Sequence, residues 1–326
     1  MHATPRPDPA PCSTRSPHRS PQRRVTGLPA ADRCPPAAAR REWDGRRPGA
    51  ARLGPGDLVA HRYELRRLLA SRRETAVWLA HDRLLSRPVV LKHLGTGGHD
   101  GRHAALAEAR ATAAVTSRHV VAVHDVAVDP PTGAWIVMEA LDGRSLAASV
   151  ARAGGLALPV VAAVAAALAD ALAALHRAGV VHRDVKPANV QLCSDGRVVL
   201  LDLGVAACDG PGDPHPPEAV AGTLEYLAPE VVLGARATPA SDLYALGATL
   251  YCAVEGVVPF RLTCVQDLVE HAAQRPGPPP SARAGWLAPL LDGLLRPDPR
   301  DRWGVDEVRR HLALPAAPGG DLASVG

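Results

Sequence analysis

Only two lysines and one asparagine occur in the chain, at Lys92, Lys186 and Asn189. Histidine aside, every other basic side chain is arginine. A composition that avoids lysine has therefore kept it at two places where a compact, strongly hydrated ammonium differs from a planar guanidinium. Lys92 ends the apolar run Val89-Val90-Leu91, and Lys186 stands between Asp184 and Asn189. Further on, the strand-like run Val198 to Leu201 leads into Asp202-Leu203-Gly204, where a carboxylate suits a hard cation that prefers oxygen ligands and keeps several waters. This set of residues points to phosphoryl transfer.

The stretch His182-Arg183-Asp184-Val185-Lys186-Pro187-Ala188-Asn189 resembles the catalytic loop of bacterial Hanks-type (eukaryotic-like) serine/threonine protein kinases, with the Asp, Lys and Asn at family spacing. The resemblance implies that Asp184 accepts or orients the proton of a substrate hydroxyl. It also implies that Lys186 sits beside the transferred phosphoryl group and that Asn189 offers its amide oxygen to magnesium. Asp202-Leu203-Gly204 is similar to the family's magnesium-binding Asp-Phe-Gly, with leucine for phenylalanine, which makes Asp202 the other metal ligand. Val89-Val90-Leu91-Lys92 resembles the family's third strand and its phosphate-gripping lysine. Glu108, on an alanine-rich helical stretch from about His103 to Val115, is then the ion-pair partner of Lys92. Met138-Glu139-Ala140-Leu141 resembles the gatekeeper and hinge, whose backbone groups would bind adenine. Gly222 to Glu230 is similar to the end of the activation segment, where polypeptide substrates dock. Asp242 matches the large-lobe helix anchor, and Arg302 the arginine that pairs with Glu230. The implied cofactors are ATP and Mg2+, and the implied partner is a protein with a serine or threonine acceptor.

Each motif alone has a plainer reading. An Asp-Leu-Gly is commonly a turn, a Lys after an apolar run a strand end reaching for water, and an Ala-Pro-Glu a helix start. Their joint order and spacing carry the argument.

The elements that must position these residues follow from the same resemblance, which covers about Leu58 to Leu314. The expected class is α+β and bilobal, with a small, mainly β N-lobe holding one helix, about residues 58–138, and a larger, mainly α C-lobe, about 142–314. Residues 315–326 read as a short flexible tail. Tyr63 to Ala80 reads as two strands around a turn. The apolar stretch Leu156 to Leu175 is long enough to suggest a membrane span, but it holds Pro159 and Asp170, is mostly alanine, and runs into the catalytic loop. It is read as a buried C-lobe helix, so no transmembrane anchor is expected.

Residues 1–57 read as a disordered tail rich in proline and arginine, because they lack a periodic apolar pattern. Ten arginines against four acids make the first fifty residues +6, so the whole-chain charge of +4 leaves −2 for the rest. No specific nucleic-acid partner follows from such a balance, although acidic lipid, polynucleotide and an over-long gene start are alternative readings of the tail. Its prolines and lack of an apolar core argue against a transit peptide or secretory signal. Six scattered cysteines (Cys12, Cys34, Cys193, Cys208, Cys252, Cys264) form no Cys-x-x-Cys pair, which favours free thiols and a cytoplasmic location. Scarce Lys, Asn, Ile and Phe beside abundant Ala, Arg, Gly and Pro read as a GC-rich bacterial coding bias, which by itself would thin out lysine.

The pattern breaks in three places. Aligning Val77 with the family's valine puts Ala70, Arg72 and Thr75 at the three positions of the glycine-rich loop, where glycine normally lets backbone amides approach phosphates. Val90 stands where alanine is usual, and Gln191, two residues after Asn189, where an apolar floor is usual. Both changes should weaken the adenine site. An active but sluggish kinase is the first reading. A pseudokinase scaffold is the alternative, and a small-molecule phosphotransferase a third. The substrate, the upstream signal and the oligomeric state leave no mark in the sequence.

Overall fold

In a computed structural model, the described residues are 53–72, 75–93, 109–110, 113, 115–129, 132–202, 207–208, 224–260, 265–274, 277, 279 and 281–314. The N-terminal lobe is a six-stranded antiparallel sheet in the order β1-β2-β3-β4-β6-β5. Its strands are β1 (Leu58–Val59), β2 (Tyr63–Arg72), β3 (Thr75–Asp82), β4 (Arg87–His93), β5 (Val123–Asp129) and β6 (Gly133–Glu139). Successive strand residues face opposite sides, and this alternation divides the lobe. Ala76, Trp78 and Ala80 of β3 bury one face against Val89, Leu91, Trp135 and Val137, with Tyr63 and Leu65 completing that core. Val77, Leu79 and Val90 are left on the other face, half-buried. Register then fixes two rows on that face, Ala70–Val77–Lys92–Ile136 and Leu79–Val90–Met138.

Beyond the sheet, the chain passes through β7 (Arg144–Ser145) into the helical lobe. Helix α1 (Leu146–Ala153) starts at Ser145, whose hydroxyl accepts from the Ala148 N–H, and ends at Gly154 in the left-handed region. Helix α2 (Leu158–Arg177) carries the long apolar run, with Pro159 in its first turn where no intrahelical N–H is needed. Val161, Leu168, Leu172 and Leu175 are wholly buried in the lobe's core, while Asp170 lies at the surface. The run is therefore the core helix expected from its proline, aspartate and alanines.

Around α2 pack α4 (Pro239–Glu255), opened by a capping box between Thr238 and Ser241, then α6 (Ala288–Leu294) and α7 (Val305–Ala313). The short α3 (Pro229–Val232) and α5 (Val265–Gln274) also belong to this lobe. Small strands β8 (Val180–Val181), β9 (Val190–Leu192), β10 (Val198–Leu200) and β11 (Ala207–Cys208) frame the catalytic stretch, with β9 between β7 and β10. This is the bilobal α+β fold. Residues 1–52 of the expected tail, Glu108 and most of 203–223 lie outside the described residues. Residues 53–57, expected to be disordered, are instead tied to the sheet: Gly56 N–H donates to the Leu65 carbonyl at 2.8 Å, Leu65 N–H to the Asp57 carbonyl at 2.9 Å, and Leu53 packs on the N-lobe core.

Candidate active site

The stretch that follows β8 is held from below by one carboxylate. Asp242, in the first turn of α4 and buried, accepts the His182 N–H at 2.9 Å through Oδ2 and the Arg183 N–H at 2.8 Å through Oδ1. His176 Nε2 lies 2.8 Å from the same Oδ2. These bonds satisfy a buried anion and hold Arg183 at φ 67°, a left-handed conformation that a non-glycine residue adopts only when its surroundings impose it. His182 then ties the loop to the next motif. Its Nδ1 accepts the Asp184 N–H at 3.2 Å, so its Nε2 carries the proton donated to the Leu201 carbonyl at 3.1 Å.

Asp184 emerges from this frame with its carboxylate in a fork of donors. Lys186 Nζ lies 2.7 and 2.6 Å from its two oxygens, and Asn189 Nδ2 lies 2.8 Å from Oδ2. Asn189 Nδ2 also donates to the Asp184 carbonyl at 2.9 Å. With the amide nitrogen so engaged, its oxygen is the group left to act as a ligand. From the N-lobe, Lys92 Nζ reaches Asp202 Oδ1 at 2.5 Å, and Asp202 takes φ 60° just past β10. The structure thus brings Asp184, Lys186 and Asn189 together, and joins Lys92 to Asp202. Glu108, the expected partner of Lys92, lies outside the described residues.

Above the cleft stand Val77, Leu79 and Val90. Below it, Val121, Cys193 and Val199 form a small apolar cluster with Met138, Leu141 and Leu201 packed on it. Gln191 pairs with Val199 across β9 and β10, so it shares this floor. Its Nε2 donates to the Asp142 carbonyl at 2.8 Å. Leu141, past the end of β6, makes no backbone hydrogen bond among the described residues, so its N–H and C=O form an open edge of the kind a purine reads. The positions expected to be glycine are strand residues. Ala70 pairs with Val77 and Arg72 with Thr75, so the hairpin stays paired up to a two-residue connection.

The donor set fits a magnesium ion held together with phosphates. Among the described residues no group of three or more His, Cys, Asp or Glu side chains could cage a metal. One carboxylate and one amide oxygen suit a small hard cation that keeps waters and takes its remaining ligands from a phosphorylated substrate.

Farther out, Arg302 Nη1 and Nη2 grip Glu230 at 2.7 and 2.9 Å, and the same guanidinium bonds the carbonyls of Ala240, Arg296 and Pro297. Burial alone would raise the Glu230 carboxyl, but the bonds and charge of Arg302 outweigh it and hold it below its ordinary value. Sequence reasoning missed other contacts. Glu139 Oε1 accepts the Ala122 N–H at 2.9 Å, and its Oε2 lies 3.4 Å from Arg197. Asp142 accepts from the Ser194 N–H at 3.3 Å and from its hydroxyl. None of these pairs carries a local sequence signal, because the partners are far apart in the chain.

Residues 66–313 match the protein kinase domain family. The chain is 35% identical over 256 residues to the serine/threonine-protein kinase PknA of Mycobacterium tuberculosis, covering 76% of this chain and 59% of that protein. It is 32% identical over 255 residues to the serine/threonine-protein kinase drp72 of Corynebacterium efficiens, covering 76% of this chain and 49% of that protein. It is 31% identical over 278 residues to the serine/threonine-protein kinase PknL of M. tuberculosis, covering 79% of this chain and 68% of that protein. The chain thus spans from about half to two thirds of the length of these relatives.

Proposed function

This chain belongs to the protein kinase family, and from that premise we propose that it is a serine/threonine protein kinase transferring the γ-phosphoryl group of ATP to hydroxyls of a protein substrate. The observation that carries the reading is the fork around Asp184, where Lys186 and Asn189 both donate to one carboxylate. Held so, Asp184 orients an incoming hydroxyl and takes its proton as the oxygen attacks. Lys186 offsets charge on the transferred group from the same side. Lys92 supplies a cation to the ATP phosphates, and the open backbone edge at Leu141 accepts the adenine. Asp202 and Asn189 would hold magnesium, which when bound neutralises phosphate charge. Lysine two residues after the aspartate and the likeness to serine/threonine-protein kinases both favour serine or threonine over tyrosine. Cys193 and Cys252 are buried thiols, which suits the reducing cytoplasm.

Purified protein incubated with radiolabelled ATP, magnesium and a general protein acceptor is the test. The wild type should label serine or threonine, and Asp184→Asn and Asp202→Asn should each lose about two orders of magnitude or more. Labelling by Asp184→Asn at the wild-type rate would sink the assignment.

A further inference from the structure

The hinge does not hang free between the lobes. Where it leaves the N-lobe, it is clasped to the turn between β9 and β10. The Asp142 carboxylate takes the Ser194 N–H and hydroxyl, and the Glu139 carboxylate faces both terminal nitrogens of Arg197 at 3.4 Å. Arg197 is itself braced by Asp195 at 2.8 Å. The next residue, Gly143, at φ 90°, lies so close to β9 that a Cβ there would sit 2.1 Å from the Leu192 carbonyl oxygen. Only glycine permits this approach. One more bond comes from the floor, from Gln191 Nε2 to the Asp142 carbonyl at 2.8 Å.

That bond changes the meaning of a polar side chain in an otherwise apolar floor. Gln191, Cys193 and Val199 share one face of the β9–β10 pair, and Met138, Leu141 and Leu201 pack on it. A glutamine there loses apolar contact with a purine ring. It gains a fixed link, one peptide removed from Leu141, between the floor and the backbone edge that reads the purine. The other ties run through the carboxylate side chains of Asp142 and Glu139, to Ser194 and Arg197, whereas the Gln191 bond is made to the hinge backbone itself.

We propose that Gln191 is a positioning residue for the nucleotide, holding the Leu141–Asp142 backbone over the floor through the Asp142 carbonyl. The inference rests on the kinase reading and deepens it. It reverses the expectation drawn from residue type alone, in which a polar floor only weakens binding. Restoring an apolar residue should loosen the site, because it severs the link that aligns the hinge edge.

The test uses the full chain and three variants. Gln191→Met keeps the length without the N–H, Gln191→Leu restores an apolar floor, and Gln191→Asn keeps the amide but falls short by one methylene. ADP affinity is measured by calorimetry with magnesium, the KM for ATP and kcat by labelling, and folding by thermal melting. The expected result is a three- to tenfold rise in ADP Kd and in KM for ATP in all three, the range of one lost hydrogen bond. The turnover number should stay within about twofold, because Asp184, Lys186 and Asn189 are untouched. A Gln191→Leu protein that binds ADP as tightly as wild type, or more tightly, overturns the proposal. Should both apolar variants fail to fold, Gln191→Asn decides by the same criterion. A wild type that transfers phosphate while every folded variant binds like it removes this inference alone. A wild type that neither binds ADP nor labels protein removes the kinase reading and this inference with it.

Discussion

Lys92 Nζ and Asp202 Oδ1, 110 residues apart in sequence, lie 2.5 Å from each other across the cleft. The lysine is nearly buried on β4, and the aspartate is 44% exposed past β10. The two charges neutralise one another directly. On the proposed function, binding MgATP would exchange this pair for two others, Lys92 with phosphate oxygens and Asp202 with the metal.

A metal-affinity prediction follows from that exchange. Lys92→Met removes a positive charge beside Asp202, so the nucleotide-free protein should bind a divalent ion about tenfold more tightly. Phosphoryl transfer should fall by about a hundredfold or more, because the phosphates lose their cation. Water-proton relaxation with Mn2+ measures the first effect and ATP labelling the second. Equal Mn2+ affinity in the two proteins would show that the pair does not compete with metal.

The grouping of Asp184, Lys186 and Asn189 was legible because it is local. Asp184, Lys186 and Asn189 lie within six residues, and the loop backbone alone brings them to one carboxylate. The two-strand reading of Tyr63 to Ala80 likewise rests on alternation and matches β2 and β3. The helix Leu158–Arg177 was harder, since an apolar stretch of that length fits a core or a membrane equally, and its proline and aspartate decided the reading. The contacts at Gln191 and Glu139 could not be read. Their partners lie 49 and 58 residues away, and a glutamine or glutamate on a strand has no preference that names a distant carbonyl or guanidinium.

The glycine-free hairpin should trade affinity for strand stability. Ala70 and Arg72 pair with Val77 and Thr75 in a ladder that glycine would weaken. Replacing Ala70, Arg72 and Thr75 together by glycine should cost about 0.5–1 kcal/mol per site and lower the melting temperature. It should also tighten MgATP binding, because bare backbone amides can then approach the phosphates. Calorimetry and melting are read side by side, and a triple variant with no gain in affinity counts against this account of the loop.

The Glu230–Arg302 pair is structural, and its loss should be large. The Arg302 side chain is fully buried, so Arg302→Met leaves a mostly buried carboxylate unpaired and should cost about 3–5 kcal/mol by urea unfolding. The Glu230→Gln, Arg302→Met double variant should lose less than the sum of the single changes. The pH dependence has a definite sign. Because the folded carboxyl titrates below its ordinary value of 4.5, its contribution is complete above that value and is lost as pH falls through the folded one. Stability of Arg302→Met should therefore fall less steeply than that of the wild type below about pH 4.5. Parallel profiles would remove Arg302 as the cause.

Activation should not require phosphate on the segment after Asp202. Leu203 to Gly222 contains no serine, threonine or tyrosine, so nothing in it can be esterified. In kinases that this chain resembles, the arginine beside the catalytic aspartate pairs with such a phosphate through charge-assisted bonds. Here that residue is Arg183, whose Nε is buried with no hydrogen-bond partner among the described residues. Asp209, Asp213 and Glu218 occur in the same segment, outside the described residues, and a permanent carboxylate supplies about half the charge of a phosphate. Phosphatase-treated protein should therefore keep its activity within about twofold. Autophosphorylation, where it occurs, should map to hydroxyls of the N-terminal stretch such as Ser13, Thr14, Ser16 or Ser20. Thr223, the nearest hydroxyl downstream, is the decisive position. Activity that disappears with phosphatase and returns only as phosphate reappears on Thr223 would show that this kinase is switched on by phosphorylation after all.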